Sequence, residues 1–492
     1  MKIANEIREF HNLINGNLVS ASSGKTMESI DPSTGKVWAE IPCSSKQDTE
    51  KAIAAARQAF PAWSSISAME RAAYLRRIGD LIAQYGNKLA ELETRGNGWV
   101  IRETSYGLIP SLTSIWYDAA GATAVGSRGE TVQLGPASIG YTLREPLGVV
   151  VGILPWNAPL FTFTIKAAYA LAAGNTVIIK PSELAAVSSL RYGELLNQIL
   201  PPGVLNVVSG TGHEVGETLV SHRDVNKVSL TGSGKTARAI AQSIARSPKP
   251  LTLELGGKSP NIVFDDANLE KAVEGITTNS IFTGNAGQIC VAGSRILIQR
   301  TIFEKMLTMM KDVITKNTKL GDPLNLETTM GPVANLAQYK TVCSYIELGE
   351  KEGGEILFGG RHGGASLLPD NPRFTNGYWV EPTLIRVNSN SLRICQEEVF
   401  GPVAIVMPFD TEEEAIAIAN DTAFGLGAGV WTTNLDRAHR MMRKLESGNI
   451  WVNTYRRVGP ELPFGGMKDS GYGTDSILEN TREKSCVIEI ES

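Results

Sequence analysis

Cysteine, glutamate, lysine and tyrosine are the side chains from which this 492-residue chain can build reactive chemistry, because its five histidines are poorly placed. Those histidines, at positions 11, 213, 222, 362 and 439, never fall three or four apart, so a helical metal pair is absent. Cys290 stands in FTGNAGQICVAGSR, residues 282–295, just after small residues that let backbone N–H groups approach a reacting oxygen. That setting suits a nucleophilic thiol; an inert buried cysteine, the usual state of a free thiol, is the other reading of the same residues. Glu254 ends an apolar run in LELGGKSP, residues 253–260, beside two glycines. A carboxylate there is costly unless it is paired or does chemistry. The cysteines at 43, 290, 343, 395 and 486 are odd in number and form no CxxC pair, so neither a disulfide framework nor a metal site is expected.

Signals for phosphate binding are mixed. Gly234-Lys235-Thr236 looks like the end of a Walker loop, but the loop's first glycine would fall at Ser229, and that reading fails. Gly210-Thr211-Gly212 lacks a third glycine at the Rossmann spacing, the next being Gly216. Thr231-Gly232-Ser233 lies between a strand and an expected helix over 235–245, where the first N–H groups of a helix bind anions. A plain tight turn fits those three residues equally well.

The elements that would position these residues alternate in type. Apolar residues recur at helical spacing over 49–93 (Ala52, Ala55, Ala56, Phe60, then Leu75, Ile78, Ile82, Leu89). After Arg144, short β-branched runs (GVVVGIL, NTVIIK, GVLNVVSG, KVSLTG, LTLELGG, NIVFDD) alternate with helical stretches, including a crossover helix expected over 184–200. A second series begins near Arg295: RILIQ, a helix over 302–316, EILFGG, VAIVMPF, a helix over 412–419, GAGVWT and NIWVNT. Two α/β domains follow, with the glycine-rich segment from Lys258 as a hinge and no low-complexity tether. The tail SCVIEIES reads as one strand, which either finds a partner subunit or closes its own sheet. No internal repeat emerges.

Composition excludes several classes. With 42% hydrophobic and 20% charged residues, 49 Gly and 23 Pro, the chain resembles a folded globular protein of two to four domains. Lys plus Arg (47) against Asp plus Glu (51) gives a net charge of −4, so no basic field is present to attract nucleic acid. The N-terminal MKIANEIREFHNLINGN has no apolar core of a secretion signal, and the longest apolar stretch, 147–154, is far shorter than the ~20 residues that span a bilayer. A cytoplasmic protein with no membrane partner is expected.

Seven motifs then appear in one order: PWNAP (155–159), IIKPSE (178–183), LTGS (230–233), LELGGKSP (253–260), FTGNAGQICVAGSR (282–295), EEVFGP (397–402) and LPFGGMKDSGYG (462–473). On these the chain resembles the NAD(P)-dependent aldehyde dehydrogenase superfamily over nearly its whole length. The resemblance implies a Rossmann-type cofactor domain (1–122 and 147–257), a second α/β catalytic domain (258–461) and a small β oligomerisation arm (123–146 and 462–492), assembled as a homodimer or homotetramer. It makes Cys290 the nucleophile that forms a thiohemiacetal and then a thioester. Asn157 and the Cys290 backbone N–H become the oxyanion donors, and Glu254 the base that activates water. Lys166 matches a lysine near the catalytic centre, as a proton relay or a structural ammonium. Cofactor contacts carry over to Ile153, Leu154, Pro155, Trp156, Lys180, Ser182, Glu183, Gly212, Thr231, Gly232, Ser233, Leu255, Gly256, Glu398 and Phe400. Glu183 would repel a 2′-phosphate, which favours NAD, although Lys180 could still hold the phosphate of NADP.

Departures from the family pattern concern the substrate. LTGS replaces the commoner FTGS, Ala237 stands where glycine is frequent, Ala158 follows Asn157, and Ile165 occupies a place where aromatics are common. An aromatic tunnel for simple apolar aldehydes therefore looks weakened. Arg456 and Arg457 precede GPELPFGG, and guanidinium is well shaped to bind a carboxylate, so a carboxylate-bearing semialdehyde is one expected substrate; a solvated pair at a subunit boundary is the alternative. A CoA-acylating relative would usually lack Glu254, and an idle binding or structural protein on this fold would be expected to lose Cys290, Asn157 or Glu254. All three are present. A catalytic Cys290 is expected to label faster than an ordinary thiol at mildly acidic pH.

Overall fold

The N-terminal apolar periodicity resolves into two helices, Lys46–Ser65 and Ala68–Asn97, in a computed structural model that describes residues 8–490. Each helix opens with a reciprocal capping box, Ser45 with Asp48 and Ser67 with Glu70, which is why the run breaks near Ile66. The second helix packs Leu75, Ile78, Ile82 and Leu89 into one core with Leu112 and Trp116 of the helix Ile109–Ala122. It runs four residues beyond the expected Glu93 and stops at Gly98, whose φ of 83° is the left-handed conformation that glycine adopts at little cost.

The first sheet has eight strands in the order Gly471–Tyr472, Leu251–Glu254, Lys227–Thr231, Val149–Ile153, Thr176–Lys180, Leu205–Val207, Asn12–Ile14, Asn17–Val19. The five from Leu251–Glu254 to Leu205–Val207 are parallel. Val149–Ile153 and Thr176–Lys180 are buried at every position, as continuous apolar strands covered on both faces should be. From Val149–Ile153 the chain moves outward through the helices Pro159–Ala172 and Val187–Leu196, then returns to add Lys227–Thr231 and Leu251–Glu254 on the other side. That reversal opens a crevice at the carboxyl ends of Val149–Ile153 and Lys227–Thr231, where open α/β sheets bind ligands. The crossover helix is shorter than the expected 184–200 because Ala185 N–H closes a turn on Ser182 at its start, and Ile199 and Leu200 turn back on Leu196 at its end.

Seven strands form the second sheet, in the order Glu355–Phe358, Thr383–Arg386, Val403–Phe409, Arg295–Gln299, Pro260–Val263, Gly427–Trp431, Asn449–Val452, all parallel except the first. NIVFDD, read above as the last run of the first series, therefore starts the second sheet and sits inside it. Only residues 255–259 separate the two sheets.

Ser138–Pro146 pairs with Thr131–Gly135 and with Thr481–Glu489 in a three-stranded antiparallel sheet. Of the expected arm segment 462–492, the part before Thr481 goes elsewhere: Met467–Lys468 pairs with Phe424–Gly425, and Gly471–Tyr472 with Leu251–Glu254. Ser470 between them accepts Leu255 N–H at its carbonyl and Gly425 N–H at its hydroxyl, each at 2.9 Å. Residues 491 and 492 of the tail lie outside the described residues. No described helix is long and apolar enough to cross a membrane.

Candidate active site

Every expected cofactor residue before position 257 falls at one edge of the first sheet. Ile153, Leu154, Pro155 and Trp156 follow Val149–Ile153; Lys180, Ser182 and Glu183 follow Thr176–Lys180; Thr231, Gly232 and Ser233 follow Lys227–Thr231; Leu255 and Gly256 follow Leu251–Glu254; and Gly212 lies beyond Leu205–Val207. Parallel strands turn at the same end, so motifs scattered over a hundred residues share one rim. Ser233 caps the helix Gly234–Ile244, its hydroxyl accepting Thr236 N–H at 3.2 Å. Lys180 Nζ donates to the Pro181 carbonyl (3.0 Å) and to Glu183 Oε2 (3.2 Å). Burial lowers the pKa of Lys180, and Glu183 opposes that shift. The second lobe reaches the same rim: Glu398 Oε1 accepts Gly257 N–H at 2.9 Å, and the Phe400 ring stands edge-on to Trp156 at 5.3 Å. A Cβ on Gly256 would come within 2.2 Å of the Glu398 carboxylate, so only glycine permits this approach.

The loop that carries Cys290 is tightly wound. Gly284, Ala286 and Gly287 all have positive φ (64°, 55° and 68°), and Ala286 is buried in a conformation that side chains rarely adopt. Gln288 pins the loop: its amide donates to the Asn285 carbonyl (2.5 Å) and the Pro332 carbonyl (3.3 Å), and its oxygen accepts Ala334 N–H (2.9 Å). Asn157 Nδ2 donates to the Gln288 carbonyl at 2.8 Å, which brings the expected oxyanion donor within two residues of Cys290 along the loop. An amide nitrogen carries two hydrogens, so one N–H of Asn157 remains for a reacting oxygen. Cys290 is half-buried, and burial together with Glu254 and Glu398 pushes its thiol up to about 12, partly offset by the backbone N–H groups of Val291 and of Cys290 itself. Burial thus opposes the thiolate on which fast labelling at mildly acidic pH depends.

Glu254 is 5% exposed, and neither of its carboxyl oxygens has a hydrogen-bond partner. Burial raises its pKa to about 8, Asp475 adding to the shift and Lys166 opposing it. Lys166 is fully buried and donates to Asp475 Oδ2 and to Ser229 Oγ, both at 2.8 Å. Ser229 in turn donates to Asp475 Oδ1 at 2.6 Å. Burial alone would raise the Asp475 carboxyl, but Lys166 and Lys227 hold it below the usual range. Glu254 and Asp475 line a cavity of about 310 Å³ with Phe161, Ile165, Tyr169, Asp118, Glu461 and Phe464 among its walls. Three aromatic rings face it, so the lining is more aromatic than the sequence suggested. Tyr169 donates its hydroxyl to Asp118 Oδ2 at 2.8 Å.

The two arginines stand apart from this cavity: no Lys or Arg is among its described lining residues. Arg456 adopts a left-handed backbone (φ 57°) and points toward Glu103, 3.9 Å away, while Arg457 is exposed. Sequence reasoning missed Asp475, Ser229, Gln288 and Asp118. Of these, Gln288 lay inside a recognised motif and Asp475 two residues past one, but their partners are too distant in the chain for spacing to reveal. Among the described residues no three His, Cys, Asp or Glu side chains gather to hold a metal ion.

Comparison with known proteins places this geometry. The model of the aldehyde dehydrogenase family matches residues 18–487. The chain is 41% identical over 466 residues to the betaine aldehyde dehydrogenase of Rhizobium etli, covering 94% of this chain and 93% of that one. Its fold matches crystal structures of PnpE from Pseudomonas sp. WBC-3 (TM-score 0.94, 39% identity, 98% of each chain) and of a betaine aldehyde dehydrogenase point mutant from Staphylococcus aureus bound to NAD+ (TM-score 0.93, 35% identity, 98% of each chain). The chain belongs to the aldehyde dehydrogenase family and is an aldehyde-oxidising enzyme.

Proposed function

We propose that this enzyme uses NAD to oxidise an aldehyde bearing a cationic group to its carboxylic acid, with Cys290 as the nucleophile. The observation that carries the reaction class is Glu254, a buried carboxyl with both oxygens free and its pKa near about 8. A base that titrates close to working pH is efficient at taking a proton from water. The same residue argues against a CoA-acylating or idle relative.

The residues fit the cofactor. A helix N-terminus at Ser233, the Lys180–Glu183 pair and Trp156 share one sheet edge at the topological crevice. Lys180 and Glu183 would hold the adenosine ribose, Trp156 and Ser233 the pyrophosphate, and Glu398 and Phe400 the nicotinamide ribose. Glu183 favours NAD over NADP. Bound NAD supplies the hydride acceptor that converts the cysteine adduct to a thioester.

Cys290 Sγ bonds to the aldehyde carbon as the thiol proton passes to Glu254, a nearby carboxylate poised to accept it. Charge collects on the former carbonyl oxygen, where the free N–H of Asn157 and the Cys290 backbone N–H stabilise it. Removing one such donor typically costs about 10²–10³ in rate. Once the thioester has formed and Glu254 has released the thiol proton to solvent, Glu254 takes a proton from water; the water oxygen bonds to the acyl carbon and the carbon–sulfur bond breaks, leaving the Cys290 thiolate. Lys166, fixed by Asp475 and Ser229, serves as a buried positive charge that keeps Glu254 from rising further.

The substrate class rests on the cavity. Asp118 and Glu461 line it with Phe161, Tyr169 and Phe464; the charge of Asp475 is already matched by Lys166, and no cationic side chain is among the described lining residues. Carboxylates and ring faces attract a cation and disfavour a carboxylate. Arg456 and Arg457, the reason to expect a carboxylated semialdehyde, both lie outside the described lining, Arg456 beside Glu103 and Arg457 exposed. Two similar proteins are named for betaine aldehyde, which carries a quaternary ammonium. The test is NADH formation from quaternary ammonium, neutral and carboxylated aldehydes of equal length, by wild type and Cys290→Ala, with NAD and NADP. Cys290-dependent turnover with kcat/KM highest for the cationic aldehyde supports the reading; preference for the carboxylated one overturns the substrate class.

The arm shows exposed Val132, Leu134, Leu143, Val487 and Ile488, which supports assembly into a homodimer or homotetramer through this sheet. Sedimentation of wild type beside Val487→Lys tests that reading. Five free cysteines, one of them the nucleophile, suit a reducing cytoplasm.

A further inference from the structure

The helix Pro159–Ala172 follows directly on Asn157, yet it has no side-chain cap of its own: Ala158 occupies the cap position. Its first turn is held from outside. Glu93 Oε1 accepts Leu160 N–H at 3.3 Å, and its other oxygen accepts the Ser188 hydroxyl at 2.5 Å. One helical turn further on, Asn97 Nδ2 donates to the Asn157 carbonyl at 3.2 Å. Glu93 and Asn97 are each 1% exposed and lie four apart, hence on one face of Ala68–Asn97. The orientation of the Asn97 amide is set, because its oxygen accepts Trp99 N–H at 3.0 Å, leaving the nitrogen for Asn157. Gly98, just after, packs its carbonyl so close to Gly331 that a Cβ there would stand 1.9 Å away. Gly331 precedes Pro332, whose carbonyl receives Gln288 Nε2.

We infer that Asn97, supported by Glu93, is a positioning residue for the oxyanion donor: it fixes the Asn157 backbone so that one amide N–H seats on the Gln288 carbonyl and the other faces the reacting oxygen. The inference rests on the reading of Asn157 as oxyanion donor. Pinning both ends of residues 157–160 matters because a donor displaced by about 1 Å loses much of its transition-state benefit. Asn97 itself touches neither thiol nor base in the described contacts, so its whole effect on rate should pass through Asn157.

A double-mutant cycle tests this, with pre-steady-state NADH formation as the readout and NAD affinity and thermal unfolding as checks on the fold. Asn157→Ala should slow the first turnover about 10²–10³-fold. Asn97→Ala should slow it about 10-fold or more, chiefly in the rate constant and not in KM, and Asn97→Ala added to Asn157→Ala should change nothing further. Glu93→Gln, which presents an amide to the two donors, should act in the same direction. Should Asn157→Ala leave the first turnover intact, the oxyanion reading itself fails. If Asn157→Ala is slow but Asn97→Ala multiplies independently with it, or acts only on NAD affinity and unfolding, Asn97 is merely structural and the inference is overturned. Full activity of Asn97→Ala also overturns it.

Discussion

Two acidic side chains line the same cavity and meet opposite fates. Asp475 is saturated: Lys166 and Ser229 occupy its oxygens, and its pKa is held down. Glu254, at the end of a neighbouring strand, has no partner at either oxygen and rises to about 8. Burial acts on both, so what separates them is company. The Asp475 side spends its hydrogen-bonding capacity on holding an ammonium inside the protein, while the Glu254 side leaves both of its oxygens unpaired. One cavity thus holds a paired carboxyl and an unpaired one.

The sharpest break would come from Glu254→Gln. Steady-state turnover should fall about 10²–10⁴-fold and the burst of NADH should slow with it, because the thiol and the attacking water lose the same base. Stopped-flow absorbance distinguishes the phases, and unfolding should be little changed. Strong destabilisation would put Glu254 in Asp475's class. Asp475→Ala should do the reverse, removing about 3–5 kcal/mol of stability in a denaturant titration by leaving Lys166 buried without its counterion.

A subtler sharpening uses pH. The rate of thioester hydrolysis should fall as pH drops through about 8 and Glu254 takes up a proton. Asp475→Asn removes the neighbouring negative charge, so that limb should shift to lower pH; a limb that stays put would separate the two residues electrostatically. The smallest effect concerns stability. A carboxyl raised above its unfolded value favours the folded state below about 4.5 and loses that contribution as pH rises toward 8, so Glu254→Gln should flatten a decline of stability across that window. Asp475 has the opposite sign: its contribution is present above about 3.8 and fades as pH falls below it. Unfolding midpoints of both variants against pH check the two signs.

Much of this was legible before any coordinates. The alternation of β-branched runs with helical stretches gave both parallel sheets, and Cys290, Glu254 and Asn157 stand out as candidates because each sits in a contiguous motif. What escaped depended on distance along the chain. Asp475 pairs with a lysine 309 residues away, and Asn97 reaches Asn157 across 60 residues, so neither leaves a local period. Side-chain direction escaped too: Arg456 adjoins the segment GPELPFGG, but its left-handed backbone aims it at Glu103. The assignment of Pro260–Val263 to the wrong series has a similar cause, since strand sequence reports burial and not which sheet receives it.

Ser470 makes a rivet of one short residue. By joining Leu255, just past a strand of the first sheet, to Gly425 in the short pair with Met467–Lys468, it ties the segment that carries Asp475, five residues beyond, to both lobes at once. The counterion of Lys166 is thus held in place by backbone contacts on either side of the cleft and not by its own ion pair alone.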